Sequence, residues 1–268
     1  MNALQILKNS GELEEFSLIK LQKSLERSGL PPSKAKEVAL KVKQKCCDHQ
    51  STKKLFQLAH RLIKKENKIL ASRYSMTKAI TELGPDGYHF EKFICAIFNQ
   101  EGYRASTNHI LKGKCVKHEI DVKAQGKKTI FCECKFHNNS NTKNDIKTAL
   151  YVQARAQDLK ENINYDEFWL ISNTKFSKDA ISYSQCMGLK LLGPNAPTKQ
   201  ALSELAIKNK VFPISILTSL KKNQTKVLLK KGCILVSDLT KDPDFLNLLE
   251  LSSDQKEITI TEAKRLLK

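Results

Sequence analysis

Two short stretches of the sequence carry acidic and basic side chains at spacings that suit metal-assisted hydrolysis. The first covers 118–122 and reads HEIDV, and the second covers 130–136 and reads IFCECKF. Side chains alternate between the two faces of a strand, so Glu133 and Lys135 are expected on one face. If the strands pair through a turn at 126–128, Asp121 and Glu133 come within metal-binding distance of each other.

This set of side chains predicts phosphodiester hydrolysis. Two carboxylates, Asp121 and Glu133, together with a backbone carbonyl can hold Mg²⁺ while several of its waters stay in place. The ion lowers the pKa of a bound water and stabilises the charge that builds up during attack. Lys135 can orient or deprotonate the attacking water. The alternative is a solvated strand face with cross-strand charge pairs, and the apolar flanks Ile130 and Phe131 favour an interior strand instead.

A zinc site is a second alternative for the same region. The set in question is Cys115, His118, Cys132, Cys134 and His137, which contains the ligand types that zinc prefers. Strand alternation places Cys132 and Cys134 on the face opposite Glu133, and away from His137. The alternation therefore favours the Mg²⁺ site over the zinc site.

The elements around these strands follow the order of an α/β sandwich. An apolar helix is predicted from Tyr88 to Glu101, then strands over 103–110, 117–124 and 129–136, a helix over 145–159 and a strand over 168–172. Helix, three strands, helix and strand indicate a mixed sheet with helices on both faces. The breaker cluster at 84–87 marks the preceding domain boundary.

Composition indicates a polyanion as partner. The chain of 268 residues has 46 Lys plus Arg against 28 Asp plus Glu, a formal net charge of +18. Such a surface attracts nucleic acid. No apolar run reaches the length of a signal peptide or of a membrane span, which predicts a cytoplasmic protein without membrane attachment. The eight cysteines are then expected to be reduced thiols.

The stretch from Leu83 to Leu192 resembles the Mrr-like branch of the PD-(D/E)xK endonucleases. The resemblance is carried by the sequences at 84–91, 102–103, 118–122, 133–137, 149–151 and 169–176. It implies that Asp121 and Glu133 are metal ligands and that Lys135 is the catalytic lysine. It also implies that Glu91 completes the acidic cluster. Gln153 occupies the place on the following helix where relatives have a glutamine near the active site, and Gln157 lies one turn further on the same face.

The N-terminal 81 residues resemble the ATP-cone domain, a small nucleotide-binding regulatory module. The resemblance rests on the sequences at 6–11, 14–17 and 20–21, on Thr52 at the start of a helix, and on 73–74. It implies that a nucleotide effector, ATP or dATP, contacts the chain through Lys8, Glu14, Lys20 and Thr52. The sequence has no Walker-type phosphate loop, so the nucleotide would be an effector and not a fuel. The alternative is a helical domain whose lysines are solvated or help to hold DNA.

These observations predict a three-part chain. Residues 1–82 form a mainly helical ATP cone, 83–198 a restriction-endonuclease-like α/β sandwich, and 199–268 a helical extension. The last part faintly resembles a helix-hairpin-helix around Gly232, in which a glycine turn lets backbone N–H groups approach a DNA phosphate. A plain helical extension packed on the nuclease is the alternative.

The sequence as a whole predicts a Mg²⁺-dependent DNA endonuclease that ATP or dATP regulates and that acts in defence against foreign DNA. Cutting both strands of a duplex needs two active sites, which suggests a homodimer or transient pairing by analogy with the fold. The alternative is a catalytically inactive DNA-binding protein that senses nucleotides. The triad of Asp121, Glu133 and Lys135 favours the enzyme, because a binding protein has no need of it.

Overall fold

The computed structural model describes residues 4–8, 11–85, 87–197 and 200–268. The chain divides into two compact units, Met1–Met76 and Thr77–Lys268, and each is described by itself. Parts of the predictions above fall outside the described residues, namely residues 9–10 of the stretch that resembles the ATP cone, Asp86 of the breaker cluster, and the domain boundary at 198–199.

The first unit combines a small sheet with four helices. Its three strands lie in the order β2-β1-β3, with β1 antiparallel to β2 and parallel to β3. Leu25, Val38, Val42 and Ala59 lie at the centre of its core. Its elements are β1 (Gln5–Leu7), β2 (Leu13–Glu15), α1 (Leu18–Arg27), α2 (Pro32–Lys45), β3 (Gln50–Ser51), α3 (Thr52–Glu66) and α4 (Lys68–Tyr74).

Short polar side chains set the helix starts in this unit. Ser17 caps α1 by accepting a hydrogen bond from the backbone N–H of Lys20, at 3.2 Å. The cap of α3 is Ser51, whose hydroxyl accepts from the N–H of Lys54 at 3.3 Å. Thr52 is the first residue of this helix, as the sequence predicts, and the cap is the residue before it.

The second unit is built around a five-stranded mixed sheet. Its strands lie in the order β4-β5-β6-β7-β8, with antiparallel pairs from β4 to β6 and parallel pairs from β6 to β8. The predicted order of helix, three strands, helix and strand is confirmed, and α8 and β8 extend it. The elements are α5 (Met76–Thr81), α6 (Tyr88–Gln100), β4 (Arg104–Lys112), β5 (Lys117–Gln125), β6 (Thr129–Lys135), α7 (Ile146–Lys160), β7 (Glu167–Ser172), α8 (Lys178–Met187) and β8 (Lys190–Leu192).

Helices cover both faces of this sheet. On one face, Phe131 and Leu170 pack in a cluster with Val152 and Ala156 of α7. On the other face, the Trp169 ring meets Phe98 of α6 edge-on, with ring centroids 5.8 Å apart. Side chains of successive strand residues alternate between these two layers, which produces the α/β sandwich that the sequence predicts.

The end of the second unit is helical and packs against the sandwich. Asn209 donates a hydrogen bond to Glu101 at the end of α6, at 2.6 Å, and the Ser215 hydroxyl donates to the carbonyl of Ala79, at 2.6 Å. The elements are α9 (Leu202–Lys208), α10 (Lys222–Lys230), α11 (Val236–Lys241), α12 (Ser253–Leu267) and two 3-10 turns, Ile214–Ile216 and Pro243–Leu248. Across the described parts of the chain, no helix combines the length and the apolar character that crossing a membrane requires.

Candidate active site

The predicted Glu-x-Lys pair lies at the end of β6, next to the parallel strand β7. Glu133 is 3% exposed, and the Lys135 ammonium donates to its Oε1 at 2.6 Å. Phe131, two residues before Glu133, packs in the α7 cluster, so alternation turns Glu133 and Lys135 towards α7 as well. The lysine side chain is 35% exposed, so this ion pair has one buried and one accessible partner.

Asp121 reaches the same place because β5 and β6 separate at this level. Their ladder runs from Gln125 and Thr129 up to Val122 and Cys132. Beyond that pair, Oδ2 of Asp121 accepts a hydrogen bond from the backbone N–H of Cys134, at 2.6 Å. The Asp121 carboxylate thus takes the place of the strand carbonyl that would otherwise accept this N–H group's hydrogen bond.

Simple alternation does not continue through Asp121. Val122 pairs with Cys132, whereas Ile120 packs in the same cluster as Phe131, so Ile120 and Val122 do not share a face as expected. On the neighbouring strand, Asn108 has φ of 62°, outside the extended region. The expectation from alternation is therefore wrong at this position, where the neighbouring strand β4 departs from extended geometry at Asn108.

Electrostatic coupling joins Asp121 to the Glu-x-Lys pair. Burial, and second the negative charge of Glu133, raise the pKa of Asp121 to about 6. The hydrogen bond from Cys134 and the positive charges of Lys135 and Arg155 act in the opposite direction. Two carboxylates that repel each other in a partly desolvated site are a pattern typical of functional sites.

Sequence reasoning did not find Arg155, the side chain of α7 that contacts Glu133. Its Nη1 donates to Oε2 of Glu133, and its Nη2 donates to the carbonyl of Glu119. The residue is 9% exposed, and its guanidinium lies 5.6 Å from the ring centre of Tyr151. An arginine among the apolar residues Val152 and Leu159 of one helix was the signal in the sequence, because arginine is rarely buried without a partner.

A buried polar network at the ends of β6 and β7 was also missed. Asn144 is 1% exposed and donates to the hydroxyls of Ser172, at 2.8 Å, and Thr174, at 3.1 Å. Ser172 donates in turn to the carbonyl of Lys135, at 2.7 Å. The network fixes the backbone from which Lys135 extends.

Glu91 and Gln153 lie on the two helices that flank the sheet. Glu91 is half-buried in the first turn of α6. Burial, and to a smaller extent nearby charges that include the Glu91 carboxylate, raise the pKa of the Cys134 thiol. Gln153 is half-buried on α7, two residues before Arg155. The roles of both residues stay predictions.

The candidate zinc ligands are used in other ways. His118 shares a hydrogen bond with Asp158 of α7, at 2.7 Å, and His137 shares one with Asn144, at 3.0 Å. Among the described residues, no group of three or more His, Cys, Asp or Glu side chains is arranged to hold a metal ion. A metal site here would therefore use the two carboxylates Asp121 and Glu133, with water and backbone oxygens as further ligands.

Three of the four predicted nucleotide contacts line one pocket in the first unit. The pocket has a volume of about 240 Å³, and Glu14, Lys20 and Thr52 are among its lining residues. Lys8 joins this set through Glu14, with 3.0 Å between Nζ and Oε2. Hydrogen bonds from Lys20, and second from Lys8, lower the pKa of Glu14. Because Glu14 lines the pocket, the ammonium groups of both lysines lie at its edge.

An aromatic pair forms another wall of the same pocket. Phe56 and Tyr74 are stacked, with ring centroids 4.8 Å apart and planes inclined by 14°. Stacked rings beside ammonium groups provide a flat apolar surface next to positive charge. This combination is suited to a planar, negatively charged ligand.

Comparison with known proteins identifies the class of the second unit. Residues 84–195 match the family model for restriction endonuclease domains, and residues 212–267 match the model described as AF1548-like, C-terminal. The five-stranded mixed sheet is consistent with a restriction-endonuclease-like fold. The first match places Asp121, Glu133 and Lys135 inside a nuclease domain.

Two relatives extend the comparison beyond single domains. An uncharacterised protein of Archaeoglobus fulgidus is 32% identical over 174 residues, which are 64% of this chain and 98% of that protein. A solved structure described as the protein of unknown function AF1548 is 30% identical with a TM-score of 0.55, over 68% of this chain and 98% of that one. The chain belongs to the AF1548-like family and contains a restriction endonuclease domain.

Proposed function

We propose that this protein is a Mg²⁺-dependent endonuclease that hydrolyses phosphodiester bonds in DNA, with Asp121, Glu133 and Lys135 at its active site. The observation that carries the proposal is the buried carboxylate of Glu133, coupled to Asp121 and Lys135 within a restriction endonuclease domain. Buried charges seldom stabilise a fold more than apolar residues of the same size would. A buried carboxylate with two further charged groups beside it therefore favours a chemical role over a structural one.

The residues at this site fit a divalent cation. Burial, and second the negative charge of Glu133, raise the pKa of Asp121, and a positive ion between the two carboxylates would relieve their repulsion. Mg²⁺ commonly binds through one or two carboxylates and keeps several waters, so Asp121 and Glu133 are a sufficient protein contribution. When bound, the ion would supply stabilisation of the phosphate charge and a lower pKa for a coordinated water.

The side chains around the two carboxylates would have separate tasks. Lys135 would use its accessible ammonium to orient the attacking water and to offset the charge on the phosphate oxygens. Arg155 would hold the Glu133 carboxylate from the helix side. Glu91 would complete the acidic cluster, and Gln153 would lie near the active site, as the resemblance to the Mrr-like enzymes implies.

DNA is the proposed substrate because the domain class and the charge agree. The net charge of +18 favours a polyanion, and the matched family is that of restriction endonucleases. Double-strand cutting would be achieved by a homodimer or by transient pairing of two copies. Defence against foreign DNA is the proposed setting of this activity.

Cleavage of supercoiled plasmid DNA tests the proposal. The wild-type protein with Mg²⁺ should produce nicked and linear forms, and EDTA should abolish them. Lys135→Ala should bind the plasmid without cutting it, while Lys112→Ala, which changes an exposed lysine of β4, should cut like the wild type. Equal cutting by Lys135→Ala would place the chemistry elsewhere, and binding without cutting by the wild type would favour the inactive DNA-binding protein.

The first unit supports a second proposed function, regulation by ATP or dATP through an ATP-cone domain. The observation that favours it is the pocket lined by Glu14, Lys20 and Thr52 beside the stacked pair Phe56 and Tyr74. The rings would hold the base, and Lys8 and Lys20 would contact the phosphates. Thr52, in the first turn of α3, would add a hydroxyl donor at a helix N-terminus.

Nucleotide-induced stabilisation tests this second function. A ligand present at 100 times its Kd stabilises a folded protein by about 2.7 kcal/mol, so ATP or dATP should raise the Tm of the wild type. Lys20→Gln should remove most of the shift. Lys23→Gln, an exposed change on the same helix and outside the pocket, should keep it. No shift with either nucleotide would contradict the regulatory function, and cleavage assays with each nucleotide would show whether it activates or inhibits.

A further inference from the structure

Helix α10 carries a row of lysines that the nuclease site does not use. Residues 221–231 read KKNQTKVLLKK, with five lysines and no acidic residue. Lys222, Lys226 and Lys230 follow each other at intervals of four, which places them along one side of the helix; we call these three residues the basic stripe. All three are exposed, while Thr225, Leu228 and Leu229 of the same helix are buried.

We propose that the basic stripe binds the phosphate backbone of duplex DNA and holds it beside the candidate active site. The inference rests on the proposed function, because it assigns to the nuclease a substrate-binding surface outside its catalytic domain. Direct contact would come from the lysine side chains.

The charges of the stripe are poorly compensated within the protein. Lys222 forms an ion pair with Glu82, with 3.6 Å between Nζ and Oε1. In the parts of the chain that the structure describes, Lys226 and Lys230 have no ion pair. Lys221 and Lys222 begin the helix, and its first turn has no acidic residue, although helix N-termini favour negative charge. An external polyanion would supply the missing negative charge.

The end of the stripe is uncovered. Gly232 has φ of 86°, a conformation that glycine adopts without strain, and a Cβ atom there would meet no heavy atom within 4 Å. The backbone N–H groups of Gly232 and Cys233 donate to the carbonyls of Leu229 and Leu228, both at 3.0 Å. These amides are therefore engaged in closing α10, which leaves the lysine side chains as the donors for a phosphate.

A short segment connects the stripe to the nuclease strands. Lys222 contacts Glu82, and three residues later the carbonyl of Pro85 accepts a hydrogen bond from Asn138, at 3.0 Å. Asn138 follows Lys135 by three residues at the end of β6. DNA bound at the Lys222 end of the stripe would thus lie near the segment that contacts the chain just after β6, the strand that ends at Lys135.

The dimensions of the stripe agree with a nucleic acid backbone. Lys230 follows Lys222 by eight positions, which is about 12 Å along a helix axis. Duplex DNA presents one negative charge for every ~1.7 Å of its axis. Three ammonium groups over that span can each reach a phosphate without a requirement for base sequence.

Binding of a labelled blunt duplex to the full chain, measured in EDTA so that no cleavage occurs, tests the inference. The double variant Lys226→Gln and Lys230→Gln should bind about tenfold more weakly near 0.1 M salt, and the slope of log K against log salt should fall by about 2. Glutamine keeps the helix propensity, so the fold should be unchanged.

The matched control is Lys160→Gln with Lys190→Gln, which removes two exposed charges outside α10, one at the end of α7 and one at the start of β8. This pair should change affinity and slope much less than the stripe variant does. Equal effects of the two pairs, or wild-type binding by the stripe variant, would overturn the inference, as would a wild-type chain that binds no duplex. Plasmid cleavage assayed separately shows whether the nuclease itself fails: a chain that binds through the stripe and never cuts would reject only the proposed function.

Discussion

Asp121 and Glu133 bring two negative charges together in a place with little water. Burial and the charge of Glu133 raise the pKa of Asp121 from 3.8 to about 6. A carboxyl group with a raised pKa in the folded state holds its proton more tightly when folded than when unfolded. Its contribution to stability is therefore present below about pH 4 and is lost as the pH rises through 6.

Asp121→Asn should stabilise the metal-free protein where Asp121 is ionised. At pH 8 we expect the free energy of unfolding to increase by about 2 kcal/mol, and at pH 5 the gain should be smaller. The amide oxygen of asparagine can still accept from the N–H of Cys134. Urea unfolding in EDTA measures the effect, with Asp254→Asn, an exposed change on α12, as the control. A loss of stability at pH 8 would contradict a destabilising repulsion between Asp121 and Glu133.

Arg155 is expected to matter for stability mainly through Glu133. Arg155→Met keeps an extended apolar side chain but leaves the buried carboxylate with one cation fewer, at a cost of about 3 kcal/mol. In a Glu133→Gln background the same change should cost clearly less, because no buried charge remains to be compensated. A double-mutant cycle by chemical denaturation gives the coupling, and identical costs in the two backgrounds would refute it.

At the scale of elements, hydrogen bonds between polar side chains connect the ends of β6 and β7, next to the candidate site. Asn144 bonds to Ser172 and Thr174, and Ser172 bonds to the carbonyl of Lys135. All three linking side chains are 2% exposed or less. The position of Lys135 therefore depends on residues of the loop before α7 and of the end of β7.

Asn144→Ala should destabilise the protein and displace Lys135. Loss of a buried hydrogen-bonding partner costs about 1–3 kcal/mol, and plasmid cleavage should decrease more than the fraction of folded protein does. Asn139→Ala, in an exposed part of the same loop, is the matched control for thermal unfolding and cleavage. Unchanged cleavage by folded Asn144→Ala would mean that the network does not position the lysine.

Much of the second unit could be predicted from the sequence because its elements are locally encoded. The apolar face of α6, the alternating strands and the buried β7 agree with the structure to within about two residues at the predicted ends. Glu133 and Lys135 were placed together by alternation alone. The three-residue strand β8 is too short to produce a pattern of its own, and its pairing with β7 depends on the fold of the whole sheet.

The parts of the site that were missed depend on contacts between distant segments. Asp121 faces the site because strand alternation fails near Asn108 of β4, and no local sequence pattern predicts that irregularity. Arg155 and Asn144 act on β6 from 22 and 9 residues away in the chain. The sequence contains these polar residues but does not predict their partners, which depend on how α7 and β7 pack on β6.

At the scale of the whole molecule, the division into Met1–Met76 and Thr77–Lys268 separates the two proposed functions. The first unit has its own core around Leu25 and Val42. The second has another, around Phe131 and Leu170. Cores of this kind favour units that fold independently.

A fragment covering 77–268 should therefore fold and cut DNA with Mg²⁺ but lose any response to ATP or dATP. Both matched family segments lie within it, and so does every residue of the cluster around Phe131 and Leu170. Circular dichroism and plasmid cleavage with and without nucleotide measure the two properties. A folded fragment that still responds to ATP would move the nucleotide site into the second unit.

Binding of Mn²⁺ to the metal-free chain, followed by the electron paramagnetic resonance signal of the free ion, tests most directly whether Asp121 and Glu133 hold a divalent cation. The wild type should take up Mn²⁺ at a site that Asp121→Asn and Glu133→Gln each weaken by at least tenfold. Lys135→Ala should keep that site, because it removes a competing cation and no ligand. Wild-type Mn²⁺ binding by both carboxylate variants would contradict the account.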